Sequence, residues 1–192
     1  MSNKNSRTTA DFLEWSEALS LIQRLERDKR NTIALLFAIG VYIGLRIGDI
    51  LKLKWIDVLN QDSISIKEKK TGKERTIKLN QNLKEIITRI YSMERPELDQ
   101  FVFLNKQGTK PVSIQYLNDF LKTIKVKYRL KIKNISTHTL RKTFGRHVWD
   151  TYNQSEKALV LLSEIFDHSS IAITKRYLGI KQEELQAIYD LL

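Results

Sequence analysis

Residues 31–53 read NTIALLFAIGVYIGLRIGDILKL. From position 33 to 45 the run is apolar for 13 residues and stops at Arg46. A bilayer span needs roughly 20 such residues, so this one belongs in the core of a folded protein. Ile33, Leu36, Phe37, Gly40, Val41 and Gly44 recur at helical spacing, which predicts a helix capped by Asn31. A second, short helix is predicted from near Arg46 to Leu53.

Working outward, Ala18, Leu19, Ile22 and Leu25 share one face of a predicted helix that Ser16 caps and that runs to about Arg27. Past Leu53 the period changes. Trp55–Val58, Ser63–Lys67 and residues 75–79 are short β-rich runs, separated by Asn60-Gln61-Asp62 and Thr71-Gly72-Lys73. Ile64 and Ile66, and Ile77 and Leu79, alternate with polar neighbours, as in a sheet with one buried face. Helices are predicted again near 81–91, 113–129, 138–150, 156–166, 170–177 and 181–191, with a brief Phe101-Val102-Phe103 interruption. The expected class is α+β: mainly α-helical, with a small three-stranded antiparallel sheet.

The 192 residues suit one domain or two small ones. Residues 1–10 are polar and are expected to form a flexible N-terminus. There is no cysteine, which excludes disulfide scaffolds, thiolate metal sites and cysteine nucleophiles. The first residues, MSNKNSRTTADF, lack the apolar segment of a signal peptide, and a cytoplasmic protein without membrane contact is expected. The net charge is +11. Residues 121–150 hold nine Lys/Arg against Asp150 alone, residues 52–89 carry a net +5, and residues 151–192 a net −2. Two basic zones in an otherwise balanced chain point to a polyanion, most often nucleic acid.

Three constellations stand out. Arg46 interrupts apolar spacing that resumes at Ile47, Ile50 and Leu51. A guanidinium at a core edge needs an anion, and Asp49, three residues on, is placed to orient it. His138 and Arg141 lie three apart at a predicted helix start, beside the most basic zone. Arginine offers a planar fork for phosphate, and histidine moves protons near neutral pH. The third is Phe166-Asp167-His168-Ser169-Ser170, where a serine caps a helix that ends near Tyr177. With a lysine on the 69–73 hairpin, these groups suit phosphoryl transfer. No carboxylate cluster suggests a metal, and no Walker-type glycine loop suggests a nucleotide.

From about residue 9 onward, the chain resembles the catalytic domain of the tyrosine recombinases, or phage integrases. The stretches that carry the resemblance are Gly44-Leu45-Arg46-Ile47-Gly48-Asp49, Lys70-Thr71-Gly72-Lys73, His138-Thr139-Leu140-Arg141, and Asp167-His168-Ser169-Ser170 leading to Tyr177. The resemblance implies a catalytic domain over 11–192, without the N-terminal core-binding domain that family members generally carry. It implies Arg46 and Arg141 as phosphate clamps and Tyr177 as nucleophile. Lys70 matches the hairpin lysine, and His138 and His168 match the remaining active-site positions. Asp167 stands where the family usually has Gly, and Asp49 where Glu is common.

The implied reaction is site-specific recombination of double-stranded DNA, as in a mobile element, through a 3′-phosphotyrosyl intermediate and with no metal or other cofactor. His138 is the expected general base, Lys70 the general acid and His168 a phosphate donor. Lys69, Lys73 and Lys142 are expected to contact DNA. Tyr128 and Tyr152 are weaker nucleophile candidates, since neither follows a second histidine at short range. Leu185, Ile188, Tyr189 and Leu192 share a face of the last predicted helix, which is expected to join a homotetramer on DNA, the free chain being a monomer. Rival readings are a type IB topoisomerase and a DNA-binding regulator that keeps the fold without catalysis.

Overall fold

The computed structural model describes residues 10–67, 72, 74–180 and 189–190. The chain runs α1 (Trp15–Arg27), α2 (Asn31–Ile43), α3 (Ile47–Ile50), α4 (Trp55–Val58), β1 (Ser63–Lys67), β2 (Glu74–Lys78), α5 (Gln81–Glu94), α6 (Ile114–Tyr128), α7 (Thr137–Thr151), α8 (Glu156–Phe166) and α9 (Ile171–Leu178). The apolar helix α2 is central. Ala34, Leu35, Leu36, Phe37, Ala38, Ile39 and Val41 are wholly buried among α1, α5 and α7. A helix apolar on all sides is stable only when covered on all sides, and α2 is.

Two glycines let α7 approach α2. A Cβ on Gly40 would lie 2.7 Å from Leu140, and one on Gly44 would overlap the Phe144 ring. Gly44 also ends α2 in the left-handed region, at φ 61°, and its N–H donates back to Gly40 O. The next residues are therefore thrown out of the helix toward α7, with Arg46 as the N-cap of α3.

The apolar interior has two parts. The larger spans α1 to α6 and the first turns of α7, through Leu140. The smaller joins Trp149 of α7 to Ala158, Leu159, Leu162 and Phe166 of α8 and to Leu178 and Ile180. At Gly145 a Cβ would lie 2.6 Å from Leu178 and 2.9 Å from Phe166, so α8 and α9 rest directly on the α7 backbone.

The expected sheet has two strands among the described residues, not three. β1 and β2 pair antiparallel from Ser63↔Lys78 to Lys67↔Glu74, with Ile64 opposite Ile77. Trp55–Val58 is a helical turn. Its buried residues, Trp55 and Val58, are three apart, and Asp57 Oδ2 accepts the Lys54 N–H at 2.8 Å, satisfying the N-cap donor. The 101–103 stretch pairs just before that turn, with Val102 N–H donating to Leu53 O.

The helix expected from Arg46 to Leu53 is a single turn that ends at Ile50. The remaining helices fall close to their expected bounds, and Ser113, Ser136, Ser155 and Ser170 each cap one with the side chain. Ser16 and Asn31 instead lie inside their helices, whose N-caps are Glu14 and Arg30. Lys69, Lys70, Lys73 and the expected last helix lie outside the described residues, except 189–190, which are helical. No helix among the described residues is long and apolar enough to cross a membrane.

Candidate active site

The site is organised around the C-terminal end of α8. The last carbonyls of a helix have no intrahelical donor and carry the negative end of its dipole, so they attract cations. Three arginines come to them from distant parts of the chain. Arg141 Nη2 donates to Phe166 O at 3.0 Å, and Arg46 Nη2 donates to the same oxygen at 3.0 Å. Arg75 of β2 donates to Ile165 O at 2.5 Å.

Arg141 is 6% exposed. Its other arm, Nη1, donates to Gly44 O at 2.7 Å, and the guanidinium lies 4.4 Å from the Phe166 ring centroid. That arginine therefore ties the end of α2 to the end of α8. Arg46 approaches Asp167 Oδ2 to 4.0 Å. Asp49 is buried in α3, within one turn of Arg46.

Beyond Phe166 the chain turns at Asp167, which is left-handed at φ 51° and ψ 49°. Glycine is the usual residue for that conformation, and aspartate is among the few others that enter it readily. The turn forms with Asp167 in place. His168 follows, its N–H donating to Ser163 O at 2.9 Å. Its Nδ1 is 2.9 Å from Thr174 Oγ1, and its ring stands edge-on to Tyr177, with centroids 5.4 Å apart.

A cavity of about 220 Å³ opens among these groups, lined by Arg46, Ile47, Thr137, His138, Arg141, Phe166, His168 and Tyr177. Five of the six residues expected to be catalytic thus meet at one place. Their positions in sequence span 46 to 177, so only the tertiary fold joins them. The sixth, Lys70, lies outside the described residues, as do Lys69 and Lys73. Lys142 is buried, with its ammonium 5.3 Å from the Tyr177 ring centroid. Tyr128 hydrogen-bonds Asp28 away from the cavity, and Tyr152 caps the C-terminus of α7. The third histidine, His147, stacks on Trp15 at 3.7 Å and does not line the cavity. Among the described residues, no group of three His, Asp or Glu is gathered to hold a metal ion.

The electrostatics divide the site into a proton donor and an acceptor. Tyr177 is half-buried, and its hydroxyl is shielded from solvent with no hydrogen-bond partner. Burial pushes its pKa up to about 12, outweighing the opposing pull of Arg141 and Arg46. The phenol is therefore neutral near pH 7. His138 is shifted the other way: desolvation first, then the charges of Lys142 and Arg141, hold it below the usual histidine range. Its imidazole is neutral near pH 7 and able to take a proton. Lys142 is likewise lowered by burial.

Sequence reasoning did not identify Gly44 O and Phe166 O as anchors, nor Arg75 or Thr174. A backbone carbonyl has no residue type to signal it. Arg75 sits among other basic residues, and a threonine inside a short helix attracts no notice.

A family model described as the phage integrase family matches residues 11–184. A probable integrase/recombinase of Bacillus subtilis (strain 168), YoeC, is 36% identical over 165 residues, covering 86% of either protein. The tyrosine recombinase XerD of Staphylococcus epidermidis is 27% identical over 197 residues, covering 97% of this chain and 63% of XerD. Two solved structures share the fold. The XerH site-specific recombinase, bound to palindromic difH substrate in a post-cleavage complex, gives a TM-score of 0.70 at 22% identity, covering 97% of this chain and 55% of that one. The XerA recombinase gives 0.71 at 20% identity, covering 94% and 64%. The chain thus spans most of YoeC but less than two thirds of XerD, XerH and XerA.

Proposed function

The chain belongs to the phage integrase family of tyrosine recombinases, the enzymes of site-specific DNA recombination, and from that premise we propose that it cleaves and rejoins duplex DNA through a covalent bond from Tyr177 to a DNA phosphate. The observation that carries this reading is the single cavity shared by Arg46, Arg141, His138, His168 and Tyr177.

In this reading a DNA phosphodiester enters the cavity and Tyr177 Oη attacks its phosphorus. The proton leaves to His138, which is neutral when the phenol needs a base. Negative charge builds on the non-bridging oxygens, where two guanidiniums bind the transition state better than the ground state. Their geometry is set beforehand by Phe166 O, so little reorganisation accompanies the reaction. The phosphorus–O5′ bond breaks, and Lys70 gives the departing alkoxide its proton. The products are a 3′-phosphotyrosyl link and a free 5′-hydroxyl. The new ester conserves the bond energy of the old one, so attack by another 5′-hydroxyl reseals a strand without ATP.

Residues 11–192 act as the catalytic domain. Lys69 and Lys73 are assigned to DNA contacts near the hairpin. Lys142, being buried behind the Tyr177 ring, is assigned to the same anionic site through its charge and not through an exposed contact. The basic segment 121–150 tracks the DNA backbone, so binding weakens steeply as salt rises. On DNA, four copies assemble through residues 181–192, while the free chain is monomeric; light scattering with and without DNA reads this.

The test is incubation with a nicked suicide duplex, which traps the covalent product, beside Tyr177→Phe. A protein–DNA adduct that survives denaturation and vanishes in the variant is expected. Band shifts without any adduct would favour a regulator that only binds, and relaxation of supercoils without site preference would favour topoisomerase-like action.

A further inference from the structure

Thr174 is wholly buried in α9, three residues before Tyr177 and on the same helix face. A buried hydroxyl needs a partner, and the Thr174 Oγ1 partner is His168 Nδ1 at 2.9 Å. The imidazole is held on its other sides as well. Its ring centroid is 5.4 Å from Phe166 and 5.4 Å from Tyr177, and the His168 backbone carbonyl accepts from Ser163 Oγ at 3.3 Å. His168 lines the cavity, and its Nδ1 is turned to α9.

Resting on the reaction proposed above, we propose that Thr174 is a positioning residue for DNA cleavage: its hydroxyl donates to His168 Nδ1 and so holds the ring with Nε2–H aimed at the phosphate between Arg46 and Arg141. The polarity follows from chemistry. A cavity lined by two guanidiniums is suited to an oxyanion, and an imidazole lone pair facing an oxyanion repels it. A neutral imidazole shows N–H at Nε2 only when Nδ1 accepts, which requires the threonine to donate. Should the ring gain a second proton, the same hydroxyl can accept from Nδ1–H, and Nε2–H stays in place. The groups around the ring are Arg46 ahead of α3, Arg141 of α7, Tyr177 of α9 and Asp167 next to it in sequence. Because Thr174 and Tyr177 share one helix, any displacement of α9 moves the nucleophile and the support of the phosphate donor together.

The experiment is single-turnover cleavage of the nicked duplex by the full chain with Thr174→Val, which keeps the shape and removes the hydroxyl, and with Thr174→Ser, which restores it. The valine variant is expected to cleave about 10-fold more slowly, the usual size for losing a group that orients a functional histidine. The serine variant is expected to recover most of that. In a His168→Ala background the valine change should have no further effect, since its target is gone. An equal slowing in both backgrounds, or a serine variant no faster than valine, would mean that Thr174 merely packs α9 and would overturn the proposal. Imidazole nitrogen-15 shifts give a readout that needs no cleavage: Nε2–H with an unprotonated Nδ1 is expected for His168, and the reverse tautomer overturns the assignment. If the wild-type chain forms no adduct while the tautomer is as expected, the reaction fails and the positioning stands.

Discussion

The two parts of the interior differ in size and in what they hold. Among the described residues, the larger is built from 34 buried apolar side chains and carries the flank of Arg46 and the first turns of α7. The smaller has seven and carries the backbone of His168 and Tyr177. The groups proposed to bind phosphate thus sit at the border of the thoroughly buried part, and the proposed nucleophile on the lesser one. Local opening costs least where few apolar contacts must be broken, so α8 and α9 should open at lower free energy than α2. Arg141 spans the two, with one arm on Gly44 O and the other on Phe166 O. The proposed substrate cradle and the proposed attacking unit are held in register by that side chain, by Arg46 and Arg75, which also reach the end of α8, and by the close approach at Gly145.

Arg141→Ala strikes the link itself and should have the largest effect. Single-turnover cleavage should fall on the order of 10²–10³-fold from loss of a transition-state donor. Gly44 O also loses its arginine donor, and Phe166 O keeps only that of Arg46, so denaturant unfolding should show a cost of about 1–3 kcal/mol as well. Arg141→Lys keeps the charge but cannot grip both oxygens and should recover little. Cleavage within tenfold of wild type in the alanine variant would place the cradle elsewhere.

Leu36→Ala and Leu162→Ala remove equally buried side chains from the two parts. Each should cost about 2–5 kcal/mol locally. The contrast lies in how that cost spreads. Hydrogen exchange should quicken throughout the protein in the first variant and chiefly in α8 and α9 in the second, which should bind DNA yet cleave it slowly. Identical exchange patterns would mean that the two parts unfold as one.

The smallest effect concerns pH. A general base must be unprotonated, so cleavage should rise with pH through the His138 titration, which lies below the ordinary histidine value of about 6.5. His138→Gln should remove that acid limb. Lys142→Met, which deletes a charge that lowers His138, should move the limb to higher pH; a limb that stays put would rule out Lys142 as a cause.

Much of this was legible in the residues. Helix α2 follows from an apolar run too short for a membrane, and the serine before α9 caps it as expected, whereas Ser16 and Asn31 fall inside their helices. The Trp55–Val58 turn was misread as a strand because aromatic and β-branched residues dominate it. What decides its conformation is Asp57 reaching back to the Lys54 N–H, a local bond that outweighs propensity. At the site, arginine, histidine and tyrosine are conspicuous by type. Their supports are not: Phe166 matters through its carbonyl, and Thr174 through a bond that exists only once α9 has folded against His168. Lys142 was expected to contact DNA, yet it is buried, because α7 is enclosed around most of its circumference there.

The shared grip of two guanidiniums on Phe166 O makes α8 a spacer. Its stability depends on which side chains it carries, but the interval between the two cations depends on where its final oxygen points. Each residue added to a helix turns its end by about 100° and advances it by about 1.5 Å. An insertion of one alanine between Ser155 and Phe166 would swing that oxygen away from both arginines, even with every side chain of the cavity retained. In this protein the number of residues in α8 is thus held more tightly than their identity.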